Sequence, residues 1–313
     1  MRVLVAGASG VIGRRLVPVL VAAGHQVVGT TRTPEKAEAI RALGCEPAVL
    51  DALDAGALAA AVREARPEVI VNELTDLPPR LNPRKPDYGL TGRLRREATS
   101  TLARAGAESG ARRLISQSIC FLYAPGGDPV KDEGAPLLEP TTGTSFDDGI
   151  EATVALERTT VDAPGLDGVV LRYGFFYGPG TYYALDGSTA ADVRRRRFPI
   201  VGDGGGVFSF VHVDDAASAT VAALDRGASG IYNVCDDEPA PLREWLPVYA
   251  EAIGAKPPRR VPAWLARLIA GRMAVMQATS LRGASNAKAK RELGWTPRYP
   301  SWRQGFREIA LLG

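Results

Sequence analysis

Short apolar runs alternate with amphipathic stretches along the first half of the chain. The runs have the length and composition of buried parallel strands, whereas the stretches carry apolar residues at helical spacing. The runs are residues 2–6, 27–31, 46–50, 69–74, 113–118 and 168–173, and the stretches are residues 11–23, 34–43, 55–66, 92–109 and 150–162. This alternation predicts right-handed βαβ units on one parallel sheet.

After about residue 174 the rhythm changes. The connections lengthen, and the glycine-rich run at 202–206 indicates a flexible turn. Residues 208–213 and 230–234 are expected to return to the sheet as strands. Helical spacing at residues 242–253 and 262–274 predicts a smaller lobe that shares one cleft with the sheet.

The predicted fold class is α/β, a Rossmann doubly wound parallel sheet with a smaller C-terminal substrate lobe. The expected dinucleotide-binding domain covers residues 1–174, and residues 208–235 return to it. The expected substrate-binding lobe covers residues 175–207 and 236–313.

A glycine-rich turn lies between the first predicted strand and the first predicted helix. The first glycine of GASGVIG permits the tight turn, the second lets the backbone approach a pyrophosphate, and the third lets helix and strand pack closely. The amino end of the helix then faces the phosphates. The expected cofactor contacts in this turn are Gly7, Ser9, Gly10, Val11, Ile12 and Gly13.

The end of the second strand predicts which dinucleotide binds. An NAD site usually has an acidic residue there for the ribose hydroxyls, whereas this chain has Thr30, Thr31 and Arg32. A guanidinium and two hydroxyls suit a 2′-phosphate. We therefore expect the site to prefer NADP(H). The alternative is that Arg32 is only a solvated residue at the start of a helix, in which case NAD(H) could be the cofactor.

Composition narrows the function classes. A net charge of +3 gives no case for nucleic-acid or membrane binding. Three scattered cysteines fit a reducing compartment, and two histidines exclude a multi-histidine metal centre, so no metal is expected. The first apolar run stops at Gly7, so we expect no targeting segment and a cytoplasmic protein.

Several motifs together resemble the extended short-chain dehydrogenase/reductases, the NAD-dependent epimerase/dehydratase family. They are the glycine turn, Asp51 after the third strand, the serines of 116–118, FVHVDD at 210–215 and LGW at 293–295. The resemblance implies that Asp51 and Ala52 flank the adenine and that Leu74 and Thr75 line the ribose side. The further cofactor contacts that it implies are Ser116, Gln117, Tyr173, Phe175 and Phe176.

The resemblance also shows where the chain departs from the family. Family enzymes pair a serine with a tyrosine and a lysine in a YxxxK motif, which residues 118–180 lack. Ser118 keeps the serine position, while Gly149 and Thr153 stand at the tyrosine and lysine positions. The proton donor is therefore expected to be Ser118, helped by a substrate or water proton, or else Tyr123.

A second departure concerns the substrate. Nucleotide-sugar members carry Arg-Asp where this chain has Phe208 and Ser209, which removes the cation for a sugar diphosphate. Twelve of the seventeen phenylalanines and tyrosines fall within residues 121–210. They predict a pocket for a bulky aromatic or apolar small molecule, unless most of them belong to the core.

Three functions remain open on the sequence. The first is an NADPH-dependent reductase of a ketone, quinone or similar electrophile; the second is a non-catalytic NADP(H)-binding sensor; the third is a nucleotide-sugar epimerase or dehydratase. An aromatic cleft favours the first over the second, and the missing YxxxK counts against the third. Family members often dimerise through helices that correspond to residues 92–109 and 149–162, so a homodimer and a monomer are both open.

Overall fold

The computed structural model describes residues 1–80, 88–141 and 145–311. The strands of the described residues are β1 (Arg2–Ala6), β2 (Gln26–Thr31), β3 (Glu46–Val49), β4 (Val69–Asn72), β5 (Arg113–Ile119), β6 (Val130–Lys131), β7 (Asp167–Tyr173), β8 (Phe175–Tyr177), β9 (Ile200–Val201), β10 (Val207–Phe208), β11 (Phe210–His212), β12 (Gly230–Val234), β13 (Ala240–Pro241), β14 (Arg260–Val261) and β15 (Gly283–Ala284). Seven strands of this part of the chain form one parallel sheet in the order β3-β2-β1-β4-β5-β7-β12. The predicted α/β Rossmann fold is confirmed.

Helices cover both faces of this sheet, because successive strand side chains point to opposite faces. The helices of the described residues are α1 (Gly13–Ala22), α2 (Pro34–Arg41), α3 (Ala55–Ala65), α4 (Gly89–Arg93), α5 (Thr99–Glu108), α6 (Ser145–Val161), α7 (Ser188–Arg194), α8 (Val213–Ala222), α9 (Leu242–Ala252), α10 (Ala263–Ser280), α11 (Ala287–Leu293) and α12 (Trp302–Leu311). Val3 and Val5 of β1 belong to the core under α1 and α8, whereas Leu4 and Ala6 belong to the core under α3 and α5. A π-helical turn, Leu94–Ala98, joins α4 to α5.

One of the two predicted returning strands behaves differently from the prediction. β12 pairs with β7 at the edge of the central sheet, as expected. β11 does not enter that sheet and pairs instead with β8 in a separate parallel pair. The reason is that β12 already occupies the outer edge of β7, so the chain after β7 finds its partner in β11.

A second core, rich in aromatic side chains, holds together β8, β9, β10, β11 and β13 with α7, α9, α10 and α12. Trp245 of α9 is fully buried at its centre, with ring centroids 5.0 Å from Phe208, 5.1 Å from Phe210 and 5.9 Å from Tyr183. Tyr177, one of the twelve aromatic residues of 121–210 from which the sequence predicts a substrate pocket, is also fully buried in this core. Part of the aromatic cluster therefore stabilises the fold rather than lining a cleft.

The cysteines, the metal-ligating side chains and the helix lengths bear on other kinds of site. Cys45, Cys120 and Cys235 are free and buried, and burial raises the pKa of the first two thiols to about 12. Among the described residues no group of three metal-ligating side chains comes together. Within the same ranges, no helix is both long enough and apolar enough to cross a membrane.

Candidate active site

A cavity of about 1010 Å³ lies along the carboxyl ends of the central strands. Its walls come from the segments that follow β1, β2, β3, β4, β5 and β7, and from α9 and α10 on the other side. The strand order reverses at β1, and open α/β sheets bind their ligands at such a point. The volume is at the upper end of the roughly 300–1,000 Å³ that clefts for small ligands have.

The glycine turn has the geometry that the sequence predicts. Gly7 has φ of +91°, and a side chain there would collide with the carbonyl oxygen of Glu73 at 2.9 Å. A side chain at Gly13 would lie only 2.4 Å from the carbonyl oxygen of Gly7, so this glycine lets α1 pack under the turn. The turn residues that line the cavity are Gly7, Ser9, Gly10, Val11 and Ile12.

The end of β2 brings two cations to the cavity. Arg32 is half-exposed and donates to Asp76 Oδ1 at 2.9 Å, and Lys36 of α2 lies nearby on the same wall. The Thr31 hydroxyl donates to Ser9 Oγ at 3.1 Å and thus braces the glycine turn. Sequence reasoning missed Lys36, although its place in the first turn of a helix that follows Arg32 is visible in the sequence.

Most of the other expected cofactor contacts also line the cavity. They are Asp51, Ala52, Leu74, Thr75, Gln117, Phe175 and Phe176. Ser116 and Tyr173 do not, because both are fully buried and bonded elsewhere. Ser116 Oγ accepts from Thr160 at 2.8 Å, and the Tyr173 hydroxyl bonds the Thr220 hydroxyl at 2.6 Å.

Neither predicted catalytic residue lies at the cavity. Ser118 Oγ donates to Glu157 Oε1 at 2.6 Å, and the two carboxylate oxygens of Glu157 each accept from Arg172 at 2.7 Å. The Tyr123 hydroxyl donates to Asn233 Oδ1 at 2.7 Å and accepts from Arg172 at 3.1 Å. Burial raises the pKa of Tyr123 further above its ordinary value. These residues form a buried polar network that joins β5, α6, β7 and β12.

The alternation of side chains along β5 explains this correction. Ser116 and Ser118 face α6, whereas Gln117 and Ile119 line the cavity. The position from which a strand side chain could reach a substrate is therefore Ile119, which cannot donate a proton.

Replacing Ser118 with alanine should therefore leave the kcat/KM of the protein within about threefold of the native value. It should lower the free energy of unfolding by about 1–2 kcal/mol, because Glu157 loses one buried donor. Steady-state kinetics and urea unfolding measure the two effects. A fall of about 100-fold in kcat at unchanged stability would restore a catalytic role to Ser118.

Glu73 is a buried acid at the edge of the glycine turn, and sequence reasoning missed it. The residue lines the cavity and is 6% exposed; its Oε1 accepts from the Tyr173 hydroxyl at 3.3 Å. Burial raises the pKa of this carboxyl to about 8, so it is mostly protonated at neutral pH. A protonated carboxyl does not repel phosphates bound at the turn. The visible signal is an acid directly after Asn72, the last residue of a strand whose other three residues are apolar.

Tyr88 and Arg95 are two further cavity residues that the sequence analysis did not single out. Arg95 belongs to the π-helical turn, is 7% exposed and donates to Thr153 Oγ1 at 2.7 Å. The ring of Tyr88 lies against α6, and a Cβ atom at Gly149 would be 3.3 Å from its Cδ2 atom. The signal for Arg95 was available, because it shares a helical face with the buried Thr91 and Ala98.

Aromatic rings form another part of the cavity wall. Phe175 stacks on Phe121 with ring centroids 4.2 Å apart and lies 4.8 Å from Phe208. Tyr182 also lines the cavity, and its hydroxyl donates to the carbonyl oxygen of Pro78 at 2.6 Å. The cavity therefore combines a phosphate-binding turn with a flat apolar surface.

Comparison with known proteins places this geometry in a family. The sequence model of the NAD dependent epimerase/dehydratase family matches residues 3–235, which is most of the chain. The chain belongs to this family. It is similar to UDP-glucose 4-epimerase from Thermus thermophilus, solved in complex with NAD, with a TM-score of 0.75 and 25% identity; the match covers 99% of this chain and 98% of that one.

Two curated relatives of this family member are reductases. A 3-diazoavenalumate denitrifying reductase from a Streptomyces species is 48% identical over 98% of this chain and 99% of its own length. A 4-hydroxy-2-methyl-3-oxo-4-farnesyl-3,4-dihydroquinoline-1-oxide ketoreductase from Stigmatella aurantiaca is 28% identical over 82% of this chain and 74% of its own length. This epimerase/dehydratase family member is an oxidoreductase with a nicotinamide cofactor, which confirms the sequence-based expectation at that level.

Proposed function

We propose that this protein is an NADPH-dependent reductase that transfers hydride to an electrophilic aromatic small molecule. The observation that carries the proposal is one cavity lined both by the glycine turn and by the rings of Phe121, Phe175 and Phe208. A nicotinamide that extends from the turn along β5 and β7 would meet a flat substrate stacked on those rings. Hydride transfer then depends mainly on proximity and orientation.

The cations at the end of β2 support the choice of NADPH. Arg32 and Lys36 both line the cavity beside Thr31, and Arg32 already holds the carboxylate of Asp76. A 2′-phosphate carries more negative charge than a carboxylate and has three acceptor oxygens, so it would compete well for the same guanidinium.

Replacing Arg32 with alanine should raise the Kd of NADPH by roughly 10–100-fold and leave the Kd of NADH within about twofold. The reason is that only NADPH carries the phosphate that Arg32 would bind. Nicotinamide fluorescence titration measures both constants. Arg41→Ala is the matched control, because Arg41 is an exposed arginine of α2 paired with Glu38. Equal weakening of both cofactors would remove the basis for the NADP preference.

The absence of Ser118 and Tyr123 from the cavity bears on the class of electrophile. A ketone that accepts hydride also needs one proton, whereas an arenediazonium ion does not. In the latter case the hydride provides both electrons of the new C–H bond, and the electron pair of the broken C–N bond leaves with N2. The relative that is 48% identical is named for the removal of nitrogen from a diazo compound. We therefore favour reductive loss of N2 from an aromatic diazo compound.

The test is an assay with 4-hydroxybenzenediazonium and NADPH deuterated at the transferable position. We expect NADPH oxidation and N2 release in a 1:1 ratio, above the rate without protein, and deuterium at the ring carbon that carried nitrogen. NADPH oxidation with ketones or quinones but not with the diazonium ion would support the second candidate. That candidate is the reduction of a ketone or quinone. Two observations favour it: one relative is named a ketoreductase, and the phenol of Tyr88 in the cavity could donate the proton that this reaction needs.

A further inference from the structure

Arg95 differs from the other buried arginines of the described residues in having no anionic partner there. Arg172 is held by both carboxylate oxygens of Glu157, and Arg113 donates to three backbone carbonyls and lies 3.6 Å from Asp167. Arg95 donates to the neutral hydroxyl of Thr153, and within the described ranges no carboxylate lies within 4 Å of it. It is nevertheless 7% exposed, and what it borders is the cavity.

An uncompensated buried cation is costly to fold. Burial lowers the pKa of Arg95 to about 10, which is the sign of that cost, but leaves the guanidinium charged at neutral pH. Two titratable side chains act on this charge: Tyr88, which precedes Arg95 in the sequence, and the more distant Glu157 of α6. The carboxylate of Glu157 is already paired with Arg172. An anion that enters the cavity would therefore find a desolvated cation whose charge no nearby carboxylate of the described residues cancels.

The backbone supports a role at a site rather than in the fold. Arg95 lies in the π-helical turn Leu94–Ala98, and such turns within helices are frequent at functional sites. The turn brings the guanidinium to Thr153, one helical turn along α6 from Gly149. At Gly149 the ring of Tyr88 takes the space that a side chain would need, since a Cβ atom there would lie 3.3 Å from the ring.

We propose that Arg95, with the hydroxyl of Tyr88 beside it, binds an oxygen anion of the substrate, either a carboxylate or a phenolate. Both residues line the cavity and approach α6 at positions 149 and 153, where the family resemblance places tyrosine and lysine. The flat part of the substrate then stacks on the wall of Phe121 and Phe175. The inference rests on the proposed function only in that the substrate occupies this cavity.

The experiment measures binding rather than turnover, so failure of the diazonium assay does not affect it. Protein saturated with NADP⁺ is titrated calorimetrically at pH 8 with 4-hydroxycinnamate, cinnamate and 4-nitrophenol, whose hydroxyl is largely ionised at that pH. We expect 4-hydroxycinnamate to bind the native protein and its Kd to rise roughly 10–100-fold in Arg95→Met, the range for a lost hydrogen bond to a charged group. If the variant also loses cinnamate, the bound group is the carboxylate; if it loses 4-nitrophenolate but keeps cinnamate, the bound group is the phenolate.

Two matched variants separate this site from general effects. Arg93→Gln removes an exposed arginine of the preceding turn that pairs with Glu97, and it should bind the probes as the native protein does. Tyr88→Phe should weaken 4-hydroxycinnamate by roughly 5–10-fold. Tyr182→Phe should not, because that hydroxyl already donates to the Pro78 carbonyl.

Stability decides between a binding and a structural role for Arg95. Because the buried charge lacks a counter-ion among the described residues, Arg95→Met should melt at the native temperature or above it and should keep its affinity for NADP⁺. A melting temperature more than about 5 °C lower would assign Arg95 to the fold and overturn the proposal. Unchanged probe binding in Arg95→Met, or no probe binding by the native protein, would overturn it equally.

Discussion

Replacing Glu157 with alanine should lower the free energy of unfolding by about 3–5 kcal/mol, the cost of leaving one member of a buried ion pair without its partner. Arg172 is 3% exposed, and Glu157 provides both of its carboxylate contacts as well as the acceptor for Ser118. Burial alone would lower the pKa of Arg172, but the hydrogen bonds and charge of Glu157 outweigh burial and raise it. Urea unfolding at pH 7 measures the loss.

The control is the double variant Glu157→Leu with Arg172→Met. Removing both charges leaves no unpaired ion, so the double variant should be less destabilised than the sum of the single variants. The coupling energy from this cycle isolates the pair itself. Single-variant losses below about 1 kcal/mol would mean that water or another group replaces the partner, and the network would then not hold β5, α6 and β7 together.

Between pH 4.5 and pH 8 the native protein should lose more stability than Glu73→Gln does, because only the native protein has the Glu73 carboxyl. In the folded state burial raises the pKa of Glu73 from its ordinary value near 4.5 to about 8. Within this window the folded state holds a proton that the unfolded chain releases, so the free energy of unfolding falls as pH rises and levels off above the folded pKa. At about 1.4 kcal/mol per pH unit, the fall attributable to Glu73 is of the order of 4–5 kcal/mol.

The glutamine variant is nearly isosteric and keeps an oxygen that can accept from the Tyr173 hydroxyl. The comparison is therefore between two unfolding profiles measured by denaturant titration from pH 4.5 to pH 9. The variant should match the native protein at the acid end and exceed it at the alkaline end. Parallel profiles would show that the carboxyl ionises at its ordinary pKa, either through water or through a nearby cation.

The sequence predicted the architecture well because its signals are local. A short strand with four successive apolar residues, followed by a glycine turn and an amphipathic helix, has one common solution, the βαβ unit. The prediction for residues 208–213 was wrong about their partner, because pairing depends on which sheet edge remains free. No local sequence pattern indicates that β12 pairs with the edge of β7 and that β11 pairs with β8 instead.

The candidate site was harder to predict, since it depends on the direction of single side chains. The resemblance correctly assigned Ser118 to the carboxyl end of β5, but a shift of one position along a strand moves a side chain to the other face of the sheet. Ile119 and Gln117 therefore reach the cavity, while Ser118 joins Glu157. Glu73 and Arg95 were missed for a different reason: a buried charge is exceptional, and its depth is visible only when the helices are packed.

The burial of all three cysteines has a practical consequence for experiments on this enzyme. A protonated thiol shielded from solvent reacts slowly with maleimides and other electrophiles. Cys45, Cys120 and Cys235 are each no more than 2% exposed, so the native thiols should take up little of a covalent labelling reagent. A single cysteine introduced at an exposed position would therefore take up a fluorophore selectively, without removal of the native thiols.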